Sequence, residues 1–250
     1  MANKTIKNLI LVLCLINITI VAKSQSLISY ADSIRKVYQI PALGYAVVSS
    51  DNIDELEVLG VRRVNTNFTA RIKDKFHIGS NTKAITSFLA ALLVKQRKIK
   101  WETTFLELFP ELKEKSKEEY QTITLQDLLS FRGKLPAYSY NSEKPTKKQI
   151  KGTDNAQERY QLAKYFLAQN PMEEENGLTP SNADYILAGL MLEKASGKTY
   201  KQLVDEFGEL LEVTFGFNYP NTTDTLQPYG HDINLKVIPP VENYKLNWLL

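Results

Sequence analysis

The stretch FHIGSNTKAITSFLAALL, residues 76–93, sets Ser80 directly after Gly79 and Lys83 three places later, at the entrance to a strongly apolar run. On a helix, that spacing puts the hydroxyl and the amine on one face. A neutral lysine amine so placed can take the serine proton as the hydroxyl attacks a carbonyl carbon. Desolvation at the top of a buried helix lowers a lysine pKa, and the positive end of the helix dipole pushes the same way. The same helix end offers the Ser80 backbone N–H to a developing oxyanion. Spacing alone is unspecific, because Ser33-Ile34-Arg35-Lys36 repeats it on an ordinary surface helix. Three features set Ser80 apart: a strand pattern before it, Gly79 to let the backbone come close, and a core helix after it.

Other chemistries fit poorly. An α/β-hydrolase needs a Gly-x-Ser-x-Gly elbow, which is missing, and its base would have to be His77 or His231, the only histidines. The run SGKT at 196–199 resembles the end of a phosphate loop, but the first glycine of that loop falls on Leu192. With two histidines and no two-histidine helical spacing, no metal site and no cofactor are expected.

These groups need elements to hold them. Leu27, Ala31, Ile34 and Tyr38 recur at helical spacing and predict a first helix that stops before Pro41. GYAVVSS (44–50) and IDELEVLG (53–60) flank Asp51-Asn52 and predict a hairpin. The run from Ile78 to Ile99 carries so little polar surface before Lys95 that it predicts a helix buried nearly all round, with KQRKIK as its solvated basic end. Thr124 and Asp127 suggest a capping box opening LQDLLS. Tyr138 to Gln157 reads as a polar surface loop. Asn182 to Ala195 predicts a helix with Ile186, Leu187, Leu190 and Met191 inward, stopped by Gly197, and Thr199 can cap the next one.

At 250 residues with ordinary composition the chain reads as one globular domain, without repeats or linkers. Lys4 and Lys7 precede the apolar run Leu9 to Ala22, and Ala22-Lys23-Ser24 offers small residues at both positions a signal peptidase reads. Residues 1–24 are thus expected to be a signal peptide, with a periplasmic or secreted product from 25–250 and no stable membrane anchor. Removing its three lysines leaves 28 basic against 28 acidic residues. A near-neutral product gives no reason to expect a nucleic-acid partner. The only cysteine, Cys14, leaves with the signal.

FHIGSNTKAITSFLAALLVKQRKIKWETTFLELFPEL resembles the first motif of the serine β-lactamase and penicillin-binding protein superfamily, in its class C and esterase-like branch. TLQDLLSFRGKLP is similar to the segment that in this family commonly reads T-L-x-D-L-L-S-H-T-S-G-L-P. PSNADYILAGLMLEKASGKTY is similar to the family's Y-S-N helix. The three segments occur in family order and, with the first helix and hairpin, cover most of residues 26–205.

The resemblance implies an α/β (α+β) fold, an antiparallel sheet flanked by helices beside a helical subdomain. It implies a serine hydrolase acting on an amide or ester of a small molecule or peptide. Ser80 would be the nucleophile, Lys83 its base or proton partner, and Asn182 a ligand of the substrate amide. The family tyrosine does not carry over, because its place is Pro180, which has no hydroxyl. Tyr185 reads as a packing residue, and Thr179 and Ser181 as helix caps. The family's third motif, Lys-Thr-Gly or His-x-Gly on a strand, is not found after Asn182. Lys198-Thr199-Tyr200 lacks the glycine, and QPYGHDIN makes His231 structural. C-terminal sheet strands are therefore expected to be missing, and the chain to be a truncated reading of a longer enzyme or a degenerate copy. The competing reading is a non-catalytic fragment that at most binds a cell-envelope ligand.

Overall fold

The computed structural model describes residues 26–139, 142–173, 177–222 and 224–239. The expected signal segment, residues 1–24, lies outside them. The described chain forms two compact units, one from residues up to Asp74 together with Leu226–Pro239, the other from Lys75–Thr225.

In the first unit, helix α1 (Leu27–Val37) is capped by the Ser26 hydroxyl and ends, as expected, ahead of Pro41. It packs on a hairpin of β1 (Ala42–Val48) and β2 (Ile53–Gly60), paired antiparallel from Ala42↔Gly60 to Val48↔Ile53. The first strand starts and ends two residues earlier than its apolar pattern suggests, because the turn spans Ser49–Asn52 and is closed by Ser49 N–H donating to the Asn52 carbonyl at 2.9 Å. A second, two-residue ladder joins β3 (Gly230–His231) to β4 (Val237–Ile238). His231 is tied into this unit by its Nε2, which accepts the Val64 N–H at 3.2 Å. That is a structural role for the side chain.

The second unit is helical. A 3-10 turn, Gly79–Asn81, leads into α2 (Thr82–Lys95). Two short helices follow, α3 (Phe105–Leu108) and α4 (Leu125–Leu129), each opened by a complete capping box: Thr104 with Glu107, and Thr124 with Asp127. Next come α5 (Asn155–Leu167), α6 (Asn182–Ser196) and α7 (Tyr200–Leu210), the last opened by a Thr199–Gln202 box. Helix α6 stops at Gly197, whose left-handed φ of 71° is the backbone state a glycine adopts without a Cβ penalty.

Two expectations are corrected here. The helix buried all round is α6, not α2: every residue from Ala183 to Glu193 is buried, and α6 packs against α2, α3, α4, α5 and α7. On α2 only Thr86, Leu89, Ala90 and Leu93 are buried, while Ala84, Phe88 and Ala91 form an exposed stripe. The segment 138–157 is also not simply a surface loop. Tyr138 and Ile150 are buried in the core, and its last residues open α5, whose N-cap is Asp154. Leu125, Leu128, Leu162, Phe166, Ile186, Leu187 and Met191 fill the centre, each at most 1% exposed. Burying each such side chain is worth about 1.5–3 kcal/mol before the entropy of ordering it.

Candidate active site

Ser80 sits in the 3-10 turn that begins at Gly79, and Lys83 lies in the first turn of α2. Gly79 has φ +51°, so glycine is needed here for its left-handed backbone. An added Cβ would meet nothing nearer than His77 Nδ1 at 4.0 Å, so close approach is not the reason. The Lys83 ammonium nitrogen donates to Ser80 Oγ at 3.1 Å and to Asn182 Oδ1 at 2.7 Å. Asn182 is the first residue of α6, held at that end by its own N–H donating to the Tyr138 carbonyl at 3.1 Å. Thus Ser80, in the turn before α2, and Asn182, nearly a hundred positions on, both meet the amine of Lys83.

The surroundings tune that nitrogen. Burial holds the Lys83 pKa below the ordinary lysine range. The face of the Tyr185 ring lies 5.6 Å from Nζ, which covers the amine without a counter-charge. Asn182 supplies a neutral acceptor, which orients the amine and does not stabilise the ammonium as a carboxylate would. Ser80 itself is exposed, so its hydroxyl is open to an incoming molecule.

The other Ser-x-x-Lys pair is built differently: Lys36 is bound to Asp32 at 2.6 Å, and Ser33 Oγ donates to the Tyr30 carbonyl at 2.6 Å. Lys198 is likewise engaged, with Glu206, at 2.5 Å. His77 stacks on Tyr219, with ring centroids 4.6 Å apart.

Around the second segment, Pro180 is exposed, and Ser181 is the N-cap of α6, accepting from Ala183 N–H while donating to the Pro136 carbonyl at 2.7 Å. Thr179 is not a cap. Its hydroxyl accepts the Lys134 N–H at 3.0 Å and donates to the Phe131 carbonyl at 3.3 Å, tying the loop after α4 to the start of α6. Tyr185 packs on Phe131 and donates to the Leu129 carbonyl at 2.9 Å, so its hydroxyl is committed to the scaffold. The sequence signal for this residue is only that Tyr185, three positions beyond Asn182, shares its helix face; its place over Lys83 is set by where α2 meets α6.

The β-lactamase family model matches residues 27–214, and the chain belongs to that family. Its fold is shared with solved structures at low identity. A D-alanine carboxypeptidase from Burkholderia cenocepacia superposes with TM-score 0.63 at 19% identity, over 87% of this chain and 56% of that one. A class C β-lactamase from Rhodobacter sphaeroides gives 0.67 at 16%, over 87% and 58%. An octameric penicillin-binding protein homologue from Pyrococcus abyssi gives 0.63 at 18%, over 86% and 49%. The chain thus spans about half the length of these proteins. No curated protein matches it.

Proposed function

We propose that the chain is an exported serine hydrolase that cleaves an amide or ester through an acyl-enzyme on Ser80. The observation that carries this reading is the position of Lys83 Nζ, 3.1 Å from Ser80 Oγ and 2.7 Å from Asn182 Oδ1 in a half-buried setting. In its neutral form the amine takes the Ser80 proton as Oγ bonds to the substrate carbonyl carbon. The carbonyl π electrons move to oxygen, and the Ser80 N–H is one donor to the resulting oxyanion. Collapse breaks the bond to the leaving group, and the Lys83 ammonium returns its proton there, a task Pro180 cannot share. Water then hydrolyses the ester on Ser80 by the same proton path in reverse.

The family and the solved neighbours, a D-alanine carboxypeptidase and a class C β-lactamase, support β-lactams and D-alanine peptides as substrate classes to try, and the motif resemblance adds carboxylic esters. Export rests on the character of residues 1–24. The test is labelling of purified protein with a fluorescent penicillin and a fluorophosphonate, beside Ser80→Ala. Covalent labelling of wild type by either probe, absent in the variant, is expected. If wild type and variant label alike, the site only binds, which is the reading Pro180 favours.

A further inference from the structure

Helix α2 must be held in place against α6 for Lys83 to meet Asn182 as well as Ser80, yet only one face of it is buried. Ridge-and-groove packing sets a helix's crossing angle only within a broad scatter, whereas a hydrogen bond holds its two atoms to a narrow distance. A second polar anchor lies one turn beyond Lys83. Thr86, 2% exposed, has its Oγ1 2.6 Å from the hydroxyl of Tyr200, the first residue of α7 and itself 6% exposed. The Thr86 hydroxyl also reaches the Thr82 carbonyl at 3.1 Å. Its single proton goes to that carbonyl, so Tyr200 donates to Thr86.

Tyr200 is in turn held from behind. Its backbone N–H donates to Glu193 Oε1 at 2.7 Å, and Glu193 is in a buried bidentate pair with Arg159 of α5, at 2.5 and 3.0 Å. The Arg159 guanidinium also lies over the Tyr200 ring, 5.8 Å from its centroid. A continuous buried polar chain thus runs from α5 through α6 and α7 to the helix bearing Lys83.

We propose that Tyr200 is a positioning residue for the Ser80–Lys83 pair, fixing α2 through Thr86 and fixed itself by Glu193 and Arg159. This rests on the acyl-enzyme reading above. Since small misplacements of reacting groups cost up to about a hundredfold in rate, loss of the anchor should slow acylation without removing any group from the site.

The test uses Tyr200→Phe, which keeps the ring and deletes only the hydroxyl, and Thr86→Val, which nearly keeps the volume. The maximal rate of fluorophosphonate acylation should fall about tenfold in each, with the half-saturating probe concentration unchanged. The double variant should be no slower than the slower single, because both remove one interaction. A lower thermal midpoint with an undiminished acylation rate would make the contact merely structural and overturn the proposal, as would additive losses. Should Tyr200→Phe fail to fold, Thr86→Val decides alone. If wild type is not acylated at all, the acyl-enzyme reading fails, and the lysine side-chain NMR signal of Lys83 decides the positioning. A titration midpoint displaced in Tyr200→Phe or Thr86→Val supports it, and an unmoved one overturns it.

Discussion

Lys83 meets two oxygens of different character, the hydroxyl of Ser80, which the proposed reaction would activate, and the neutral amide oxygen of Asn182. The difference decides protonation, since a carboxylate at Asn182 Oδ1 would hold the ammonium form by several kcal/mol in a partly buried site. Asn182→Asp is therefore expected to raise the Lys83 pKa and move the acid limb of the acylation profile upward by one unit or more. At neutral pH the rate should fall on the order of tenfold, recovering as pH rises. A profile that keeps its midpoint while losing amplitude would mean that Asn182 contacts substrate only. At this scale much was legible in the sequence. The Ser80 and Lys83 spacing needs only helical geometry, and Asn182 needed the resemblance. The cover of Tyr185 over Lys83 depends on how α2 meets α6, which no spacing within one helix states.

Helix α6 shows what burial on every side costs. Asp184 is fully buried, and neither of its carboxyl oxygens has a hydrogen-bond partner among the described residues. Burial pushes its pKa up to about 8, opposed only in part by the nearby Asp184 and Gly133 amides, which stop short of hydrogen-bonding geometry. The carboxyl presses on the loop after α4, where a Cβ on Gly133 would fall 2.3 Å from Asp184 Oδ1. A carboxyl with a folded pKa above its unfolded value makes the native state the stronger proton binder between the two, so stability falls as pH rises from about 4 to about 8. Asp184→Asn should relieve this, stabilising the protein by roughly 1–3 kcal/mol at pH 8 and by little near pH 4. Denaturant titrations at the two pH values check it, and an equal effect at both would show that charge is not the cause. The buried aspartate also hides the central place of α6 in the sequence, since charged residues on a helix argue for a solvent face. Conversely, α2 looks fully buried by composition because Phe88 and its neighbouring alanines carry no sign of which face they occupy. Capping boxes read well from sequence because both partners lie within one turn, while α5 was missed because its apolar residues are diluted by charges such as the core Arg159.

Across the whole molecule, the buried apolar residues are unequally shared. Nearly all belong to the helical unit, while in the unit of α1 and the hairpin only Ala31 and Ala70 are buried among the described apolar residues. Opening free energy follows such burial. Amide exchange should therefore be slowest over residues 183–193 and faster by orders of magnitude over 27–60, as read by mass spectrometry; equal protection of both would contradict the core assignment. The hairpin's fate was legible in part, since alternating apolar residues predict strands but not what covers them. The helical unit holds Ser80, Lys83, Asn182 and Tyr185 alike, so the groups assigned to acylation depend on the better packed part of the chain. The most direct measurement of their central property is the rate of Ser80 acylation against pH in wild type and in Lys83→Met. The account predicts a wild-type rate that climbs with pH to a plateau, its midpoint below the ordinary lysine range, and a drop of at least about a hundredfold in the variant with that limb gone. A variant that labels as fast as wild type, with the same dependence on pH, would contradict Lys83 as the base.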